Sequence, residues 1–223
     1  MKIKKKSIKV YPSILSADFG SLAKEAKKLE EVGADGIHID IMDGHFVPNL
    51  TLGSQAVAAI NRSTTLFLDV HLMVYSPFDY IERFIEAGAD QITIHCEATE
   101  EVEQTLAYIR KCGKKAGLAL CPESSVEMLA RYFDKCDQIL LMTVHPGFGG
   151  QKFIPDVLEK IAFVRQACDV RSLSMDIQVD GGIDDITAKL CVEKGANVLV
   201  SGTYIYKAKE MQKAIQTLRE SEG

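Results

Sequence analysis

Three times along the 223 residues a helical pattern breaks at the same short signal and an apolar run begins: at Gly33-Ala34-Asp35, Gly88-Ala89-Asp90 and Gly195-Ala196-Asn197. A unit that recurs as helix, glycine turn and strand implies a series of βα modules, because parallel strands can be joined only by a long crossover, usually a helix. Reading apolar periodicity along the chain predicts strands over 8–15, through His38, and over 66–73, 91–95, 115–120, 138–144, 174–180 and 197–200. Helices alternate with them, from an Asp18 cap to 32 and over 55–61, 78–87, 100–112, 126–132, 155–167, 186–193 and 207–219. Eight such units without a spare segment predict an α/β fold, a single (β/α)8 TIM barrel spanning 1–223 with a basic tail over 1–7. A doubly wound open sheet is the alternative, since periodicity does not reveal closure.

A chain that is 47% hydrophobic can bury a full core of this kind. Its 26 Lys and Arg against 31 Asp and Glu give a net charge of −5, which provides no general footprint for nucleic acid. Any phosphate must be bound locally. Cys96, Cys112, Cys121, Cys136, Cys168 and Cys191 include no C-x-x-C pair, and Lys2, Lys4, Lys5 and Lys6 lead into a strand pattern rather than a signal peptide. Reduced thiols in a cytoplasmic protein are the expectation. The longest apolar runs are too short to span a bilayer, so no membrane partner is expected.

The chemistry concentrates in Gly36-Ile37-His38-Ile39-Asp40-Ile41-Met42-Asp43-Gly44. Alternation along a strand puts His38, Asp40 and Met42 on one face and the three isoleucines on the other. A buried imidazole beside a buried carboxylate needs a partner, and a hydrogen-bonded pair or a metal site fits this stretch about equally. Asp69, His71 and Met73 share a face in the next strand. A barrel presents all its strand carboxyl ends at one mouth, where His38, Asp40, His71 and Asp180 would converge. Two imidazoles and two carboxylates suit one divalent cation, zinc, manganese, iron or cobalt, without choosing among them.

Met42, Met73 and Met142 fall at strand ends, as core filling or as a polarizable lid over a reacting carbon. Gly147, Gly149 and Gly150, then Gly181 and Gly182, then Gly202 and Thr203 follow the last three strands. Their backbone N–H groups could cradle a phosphate, and tight turns are the competing explanation. The Ser13 hydroxyl could meet substrate or cap a turn. His45 and His145 lie in predicted loops and His95 on an inner strand face, and none of the three is assigned a catalytic role.

Pro12-Ser13-Ile14-Leu15-Ser16-Ala17-Asp18, the 38–49 stretch, His71-Leu72-Met73, Met142 with 146–151, and Asp180-Gly181-Gly182-Ile183 together resemble the ribulose-phosphate 3-epimerase family. The resemblance runs nearly end to end. It implies the eight-stranded barrel, a metal held at His38, Asp40, His71 and Asp180, and an acid/base pair in Asp40 and Asp180. It also implies substrate contacts from Ser13, His71 and the three methionines, phosphate contacts from the glycine loops, and a homo-oligomer. Two departures stand out. The last loop reads Gly202-Thr203-Tyr204-Ile205-Tyr206 where members commonly have Gly-Ser-Ala-Ile-Phe, and His145 replaces a Glu, Asn or Asp.

The implied reaction interconverts D-ribulose 5-phosphate and D-xylulose 5-phosphate, removing the carbon 3 proton on one face and returning one on the other through a metal-stabilised cis-enediolate. A D-allulose 6-phosphate 3-epimerase is the alternative. Sugar-phosphate decarboxylases on similar barrels carry Asp-x-Lys-x-x-Asp, whereas this chain has Asp69-Val70-His71-Leu72-Met73-Val74, which counts against a lyase.

Overall fold

The computed structural model describes residues 7–221, so most of the expected basic tail lies outside the described residues. Eight parallel strands, β1 (Lys9–Pro12), β2 (Gly36–Met42), β3 (Phe67–Met73), β4 (Gln91–His95), β5 (Lys115–Leu120), β6 (Gln138–Met142), β7 (Asp176–Asp180) and β8 (Val198–Ser201), form one sheet. Strand pairing runs β1-β8-β7-β6-β5-β4-β3-β2. The remaining seam is spanned by a parallel bridge between Ser13 and His38, which closes the barrel beside the first candidate site residue.

The helices are α1 (Leu22–Glu31), α2 (Ser54–Asn61), α3 (Ile81–Glu86), α4 (Val102–Lys111), α5 (Val157–Arg171), α6 (Thr187–Glu193), α7 (Thr203–Tyr206) and α8 (Met211–Arg219). The helix expected over 126–132 is only a 3₁₀ turn, Val126–Leu129. Leu129 and Tyr132 are buried three residues apart, a repeat that a tighter turn satisfies. The four residues of α7 are too few to show a helical period, and α8 starts at 211 rather than 207. The first strand is shorter than expected because a 3₁₀ turn, Ile14–Ser16, follows with the Ser13 hydroxyl accepting from Leu15 N–H at 3.3 Å.

The recurring Gly-Ala-Asx signal has a physical basis. The glycine leaves the helix with positive φ, 79° at Gly33, as a helix C-terminus favours. The acidic or amide side chain two residues on then accepts from the main chain of the neighbouring strand. Asp35 receives Val10 N–H at 2.8 Å, Asp90 receives Leu68 N–H at 2.9 Å and Asn197 receives Ile177 N–H at 2.8 Å. Each repeat therefore fixes the start of one strand against the next.

Outward side chains such as Ile37, Ile39, Val70, Leu72, Ile92 and Ile94 pack with Leu29, Ile60, Phe84 and Leu106 from the helices into the main core. The barrel interior is largely polar. Gln138 donates to Gln178 at 2.7 Å, Gln178 donates to Asp69 at 2.6 Å and Gln91 donates to Asp69 at 2.8 Å, so buried amides and carboxylate satisfy one another. None of the six cysteines is joined in a disulfide. No helix among the described residues is long and apolar enough to cross a membrane.

Candidate active site at the carboxyl mouth of the barrel

His38 and Asp40 project inward from β2, His71 from β3 and Asp180 from the end of β7. Strand register sets Asp40 opposite His71 and His38 opposite Asp69. One potential ligand atom from each of His38, Asp40, His71 and Asp180 lies within 4.8 Å of the other three. The expected convergence is present.

The bonding around His38 shows what the cluster can hold. Its Nδ1 lies 2.8 Å from Asp69 Oδ2, which as an acceptor fixes the proton on that nitrogen. Nε2 then points into the cluster, fully buried and without a hydrogen-bond partner, 3.2 Å from Asp40 Oδ1 and 3.7 Å from Asp180 Oδ2. Two carboxylates facing that nitrogen demand positive charge at that point, which a second imidazole proton supplies unless a cation takes the lone pair. A divalent cation fits a donor set of two imidazoles and two carboxylates.

The charges follow the same logic. Burial opposes charge on His38, but Asp40 and Asp69 outweigh it and hold its pKa well above the ordinary value. Burial pushes the His71 imidazole down to about 4, reinforced by His95 and His38 against the pull of Asp40. Burial also disfavours ionised Asp40, yet His38 and the His71 contact hold its carboxyl well below the usual range. Asp180 behaves in the opposite way: burial and the neighbouring Asp40 charge push it up to about 7. Two carboxylates in one cluster are thus driven toward different protonation states.

The other expected residues surround this cluster. Ser13 donates to Asp40 Oδ2 at 2.7 Å while capping the Ile14–Ser16 turn, so its hydroxyl serves both the turn and the site. Met42 and Met73 pack together with Val47, Leu15 and Phe46, whereas Met142 packs with Ala119 and Leu140. The methionines fall into two packing groups, and all three line a cleft of about 1010 Å³.

Gly147, Gly149, Gly150, Gly181, Gly182, Gly202 and Thr203 line the same cleft, with Lys152 and Lys207 nearby. The 146–151 loop is tied down by Asn49 Nδ2 donating to Gly147 O at 2.7 Å and by Gln151 Nε2 donating to Phe148 O at 2.8 Å. Gly182 has φ of 62°, and a Cβ there would stand 2.8 Å from Phe153 N. That close approach of two main chains accepts only glycine. Tyr204, one of the two departures, is partly buried against the main core and also lines the cleft. His145, the other, is exposed with Nδ1 3.3 Å from Glu123 Oε2.

His45 is exposed in its loop. His95 is more than an isolated buried histidine: its Nε2 lies 2.8 Å from His71 Nε2. Asp69, Gln91 and Gln178 also belong to the buried network behind the site, and none of them is among the site residues expected from sequence. The signal was available, because Asp69 with His71, Gln91 with His95 and Gln178 with Asp180 repeat polar residues at inward strand positions where a core would be apolar.

Fold and cluster define a class: a (β/α)8 barrel whose carboxyl mouth joins two imidazoles and two carboxylates to a glycine-lined cleft. The chain belongs to the ribulose-phosphate 3-epimerase family, whose model matches residues 9–206. It is 54% identical over 207 residues to the ribulose-phosphate 3-epimerase of Chlamydia trachomatis serovar D, covering 92% of this chain and 89% of that protein. It is 49% identical over 215 residues to the ribulose-phosphate 3-epimerase of Bacillus subtilis, covering 96% and 99%. Among solved structures, 3-keto-L-gulonate-6-phosphate decarboxylase from Vibrio cholerae matches with a TM-score of 0.73 over 97% of each chain at 14% identity. The 3-hexulose-6-phosphate synthase from Salmonella typhimurium matches at 0.71 over 96% and 98% with 17% identity. At such identities the likeness establishes the fold alone.

Proposed function

We propose that this protein interconverts D-ribulose 5-phosphate and D-xylulose 5-phosphate by two-base proton transfer at carbon 3. The observation that carries the reading is the pairing of Asp40 with Asp180. Both offer an oxygen to one cluster, and their surroundings push their pKa values in opposite directions. Groups separated in this way are suited to act as base and acid in the same turnover. In one direction Asp40 takes the carbon 3 proton and Asp180, protonated, returns one to the opposite face. The opposite epimer is then processed with the roles exchanged, because turnover leaves Asp40 protonated and Asp180 ionised.

In this proposal His38, Asp40, His71 and Asp180 also hold one divalent cation, zinc, iron, manganese or cobalt. When bound, the ion supplies Lewis-acid stabilisation of the negative charge that develops beside carbon 3. Ser13 orients Asp40 and contacts the sugar, as does His71. Met42, Met73 and Met142 present an uncharged surface that excludes water from the reacting carbon. Gly147, Gly149, Gly150, Gly181, Gly182, Gly202 and Thr203 receive the phosphate, with main-chain N–H groups as donors. A single catalytic domain, a homo-oligomeric assembly and a cytoplasmic setting complete the proposal, the last in keeping with six cysteines outside any disulfide.

Proton NMR in heavy water tests it, with metal-replete protein added to an equal mixture of D-ribulose 5-phosphate and D-allulose 6-phosphate. Loss of the carbon 3 proton with epimer formation, faster for the five-carbon sugar, is expected. Preference for the six-carbon sugar, or no exchange with any of the four metals, overturns it.

A further inference from the structure

A second row of polar side chains runs outward from the cluster. His71 Nε2 lies 2.8 Å from His95 Nε2, and His95 Nδ1 lies 3.3 Å from Glu97 Oε2. Glu97 Oε1 accepts the Cys121 backbone N–H at 2.8 Å, at the end of β5. His71 and His95 are both fully buried, so neither exchanges these contacts for water. We propose that His95 and Glu97 are positioning residues that fix the tautomer of His71 and keep its Nδ1 lone pair turned toward the cation site. This rests on the four-residue cluster holding a cation.

Proton count sets the direction of the row. A close contact between two imidazole nitrogens holds one proton, since two lone pairs repel and two N–H groups collide. If His71 offers Nδ1 to a cation, its proton sits on Nε2 and is donated to His95 Nε2. His95 must then carry its own proton on Nδ1, where the Glu97 carboxylate accepts it. Every polar atom in the row is satisfied, and the last one is anchored to main chain. In the reverse arrangement His71 donates from Nδ1 to Asp40, 3.1 Å away, and accepts from His95 Nε2. The His95 Nδ1 lone pair would then face a carboxylate, acceptor against acceptor. An outer hydrogen-bond partner that sets ligand orientation is a general feature of histidine metal sites.

His95, Glu97 and Cys121 also bring potential ligand atoms within 4.8 Å of one another, with Cys121 Sγ 3.5 Å from His95 Nδ1. A cation there would occupy His95 Nδ1, drive its proton to Nε2 and that of His71 to Nδ1, and so block the inner cluster. Neutral imidazoles do not serve both centres at once.

Titration of the full-length protein with Co²⁺, for the wild type, His95→Phe, Glu97→Gln and Cys121→Ala, distinguishes these cases. One ion per chain without a thiolate charge-transfer band is expected, with about 10–100-fold weaker affinity in His95→Phe. Glu97→Gln, whose amide oxygen still accepts from His95, should lose less affinity while shifting the d–d spectrum, and Cys121→Ala should match wild type. ¹⁵N NMR of the Zn²⁺-loaded protein should show the His95 proton on Nδ1. Wild-type affinity in His95→Phe, a His95 proton on Nε2, or a thiolate band abolished by Cys121→Ala each overturns the proposal. If the wild type binds no Co²⁺ at all, the four-residue cation reading fails and takes this inference with it.

Discussion

His38 and Asp69 are register partners on adjacent strands, and the imidazole Nδ1 meets the carboxylate Oδ2 at 2.8 Å. Asp69 is itself held by Gln91 from β4 and Gln178 from β7, so one buried carboxylate links the candidate ligand to strands on both sides of the barrel. Asp69→Ala strands the His38 N–H and two amides. A destabilisation of about 3–5 kcal/mol is expected from denaturant unfolding, since a buried polar network loses its centre. Cation affinity should fall about 10–100-fold, measured by Co²⁺ titration.

Asp40→Asn and Asp180→Asn should each reduce turnover by about 10²–10⁴-fold, the usual weight of a positioned proton-transfer group. Circular dichroism should report an unchanged fold. Near wild-type exchange of the carbon 3 proton in either variant would end the two-base model.

At Gly182, alanine meets both an unfavourable backbone conformation and the Phe153 main chain. The left-handed geometry alone costs about 1–2 kcal/mol for a residue with a Cβ. Gly182→Ala should raise KM for the sugar phosphate and weaken inorganic phosphate binding, with kcat less affected. Steady-state kinetics and calorimetry separate these effects; an unchanged KM would remove Gly182 from the phosphate site.

Treatment with a chelator should lower the thermal unfolding midpoint, and adding back a divalent ion should restore it. The Asp40 and Asp180 carboxylates and the orphan His38 Nε2 converge on one point, so an ion bound to the folded state alone stabilises it by mass action. Differential scanning fluorimetry reads the shift, and identical midpoints with and without ion would contradict the cation site.

Away from the mouth, Arg110 Nη2 donates to Asp137 Oδ1 at 2.8 Å, and Asp137 Oδ2 accepts Ala116 N–H at 2.9 Å. Burial raises the Asp137 pKa, but Arg110 and the Ala116 N–H overcome it, leaving the carboxyl below its ordinary 3.8. A lowered folded pKa gives stability that is present above the unfolded value and is lost as pH falls through the folded one. Asp137→Asn should therefore cost about 1 kcal/mol at neutral pH after allowance for solvent screening, and progressively less below pH about 4. Urea unfolding of both proteins across that range checks the sign.

Much of the fold is written in local patterns. The Gly-Ala-Asx stops, the alternating strands and the placement of His38, Asp40 and His71 on inward faces all follow from side-chain period. The bounds of β4 and β5 coincide with their apolar runs. Short elements carry too little pattern, so neither the four-residue α7 nor the 3₁₀ character of Val126–Leu129 is legible in the sequence.

By itself, then, the sequence determined the order of elements and which side chains face inward, because both depend on neighbours one to four residues apart. Tertiary structure alone decided the closure at Ser13 and His38, the support of His38 by Asp69 and the row from His71 through His95 to Glu97. Pairs such as Gln178 with Asp69 lie 109 residues apart and meet only through barrel closure and strand register, which no local period encodes. The divergent carboxyls of Asp40 and Asp180 arise in the same way, from burial and from charges contributed by other strands.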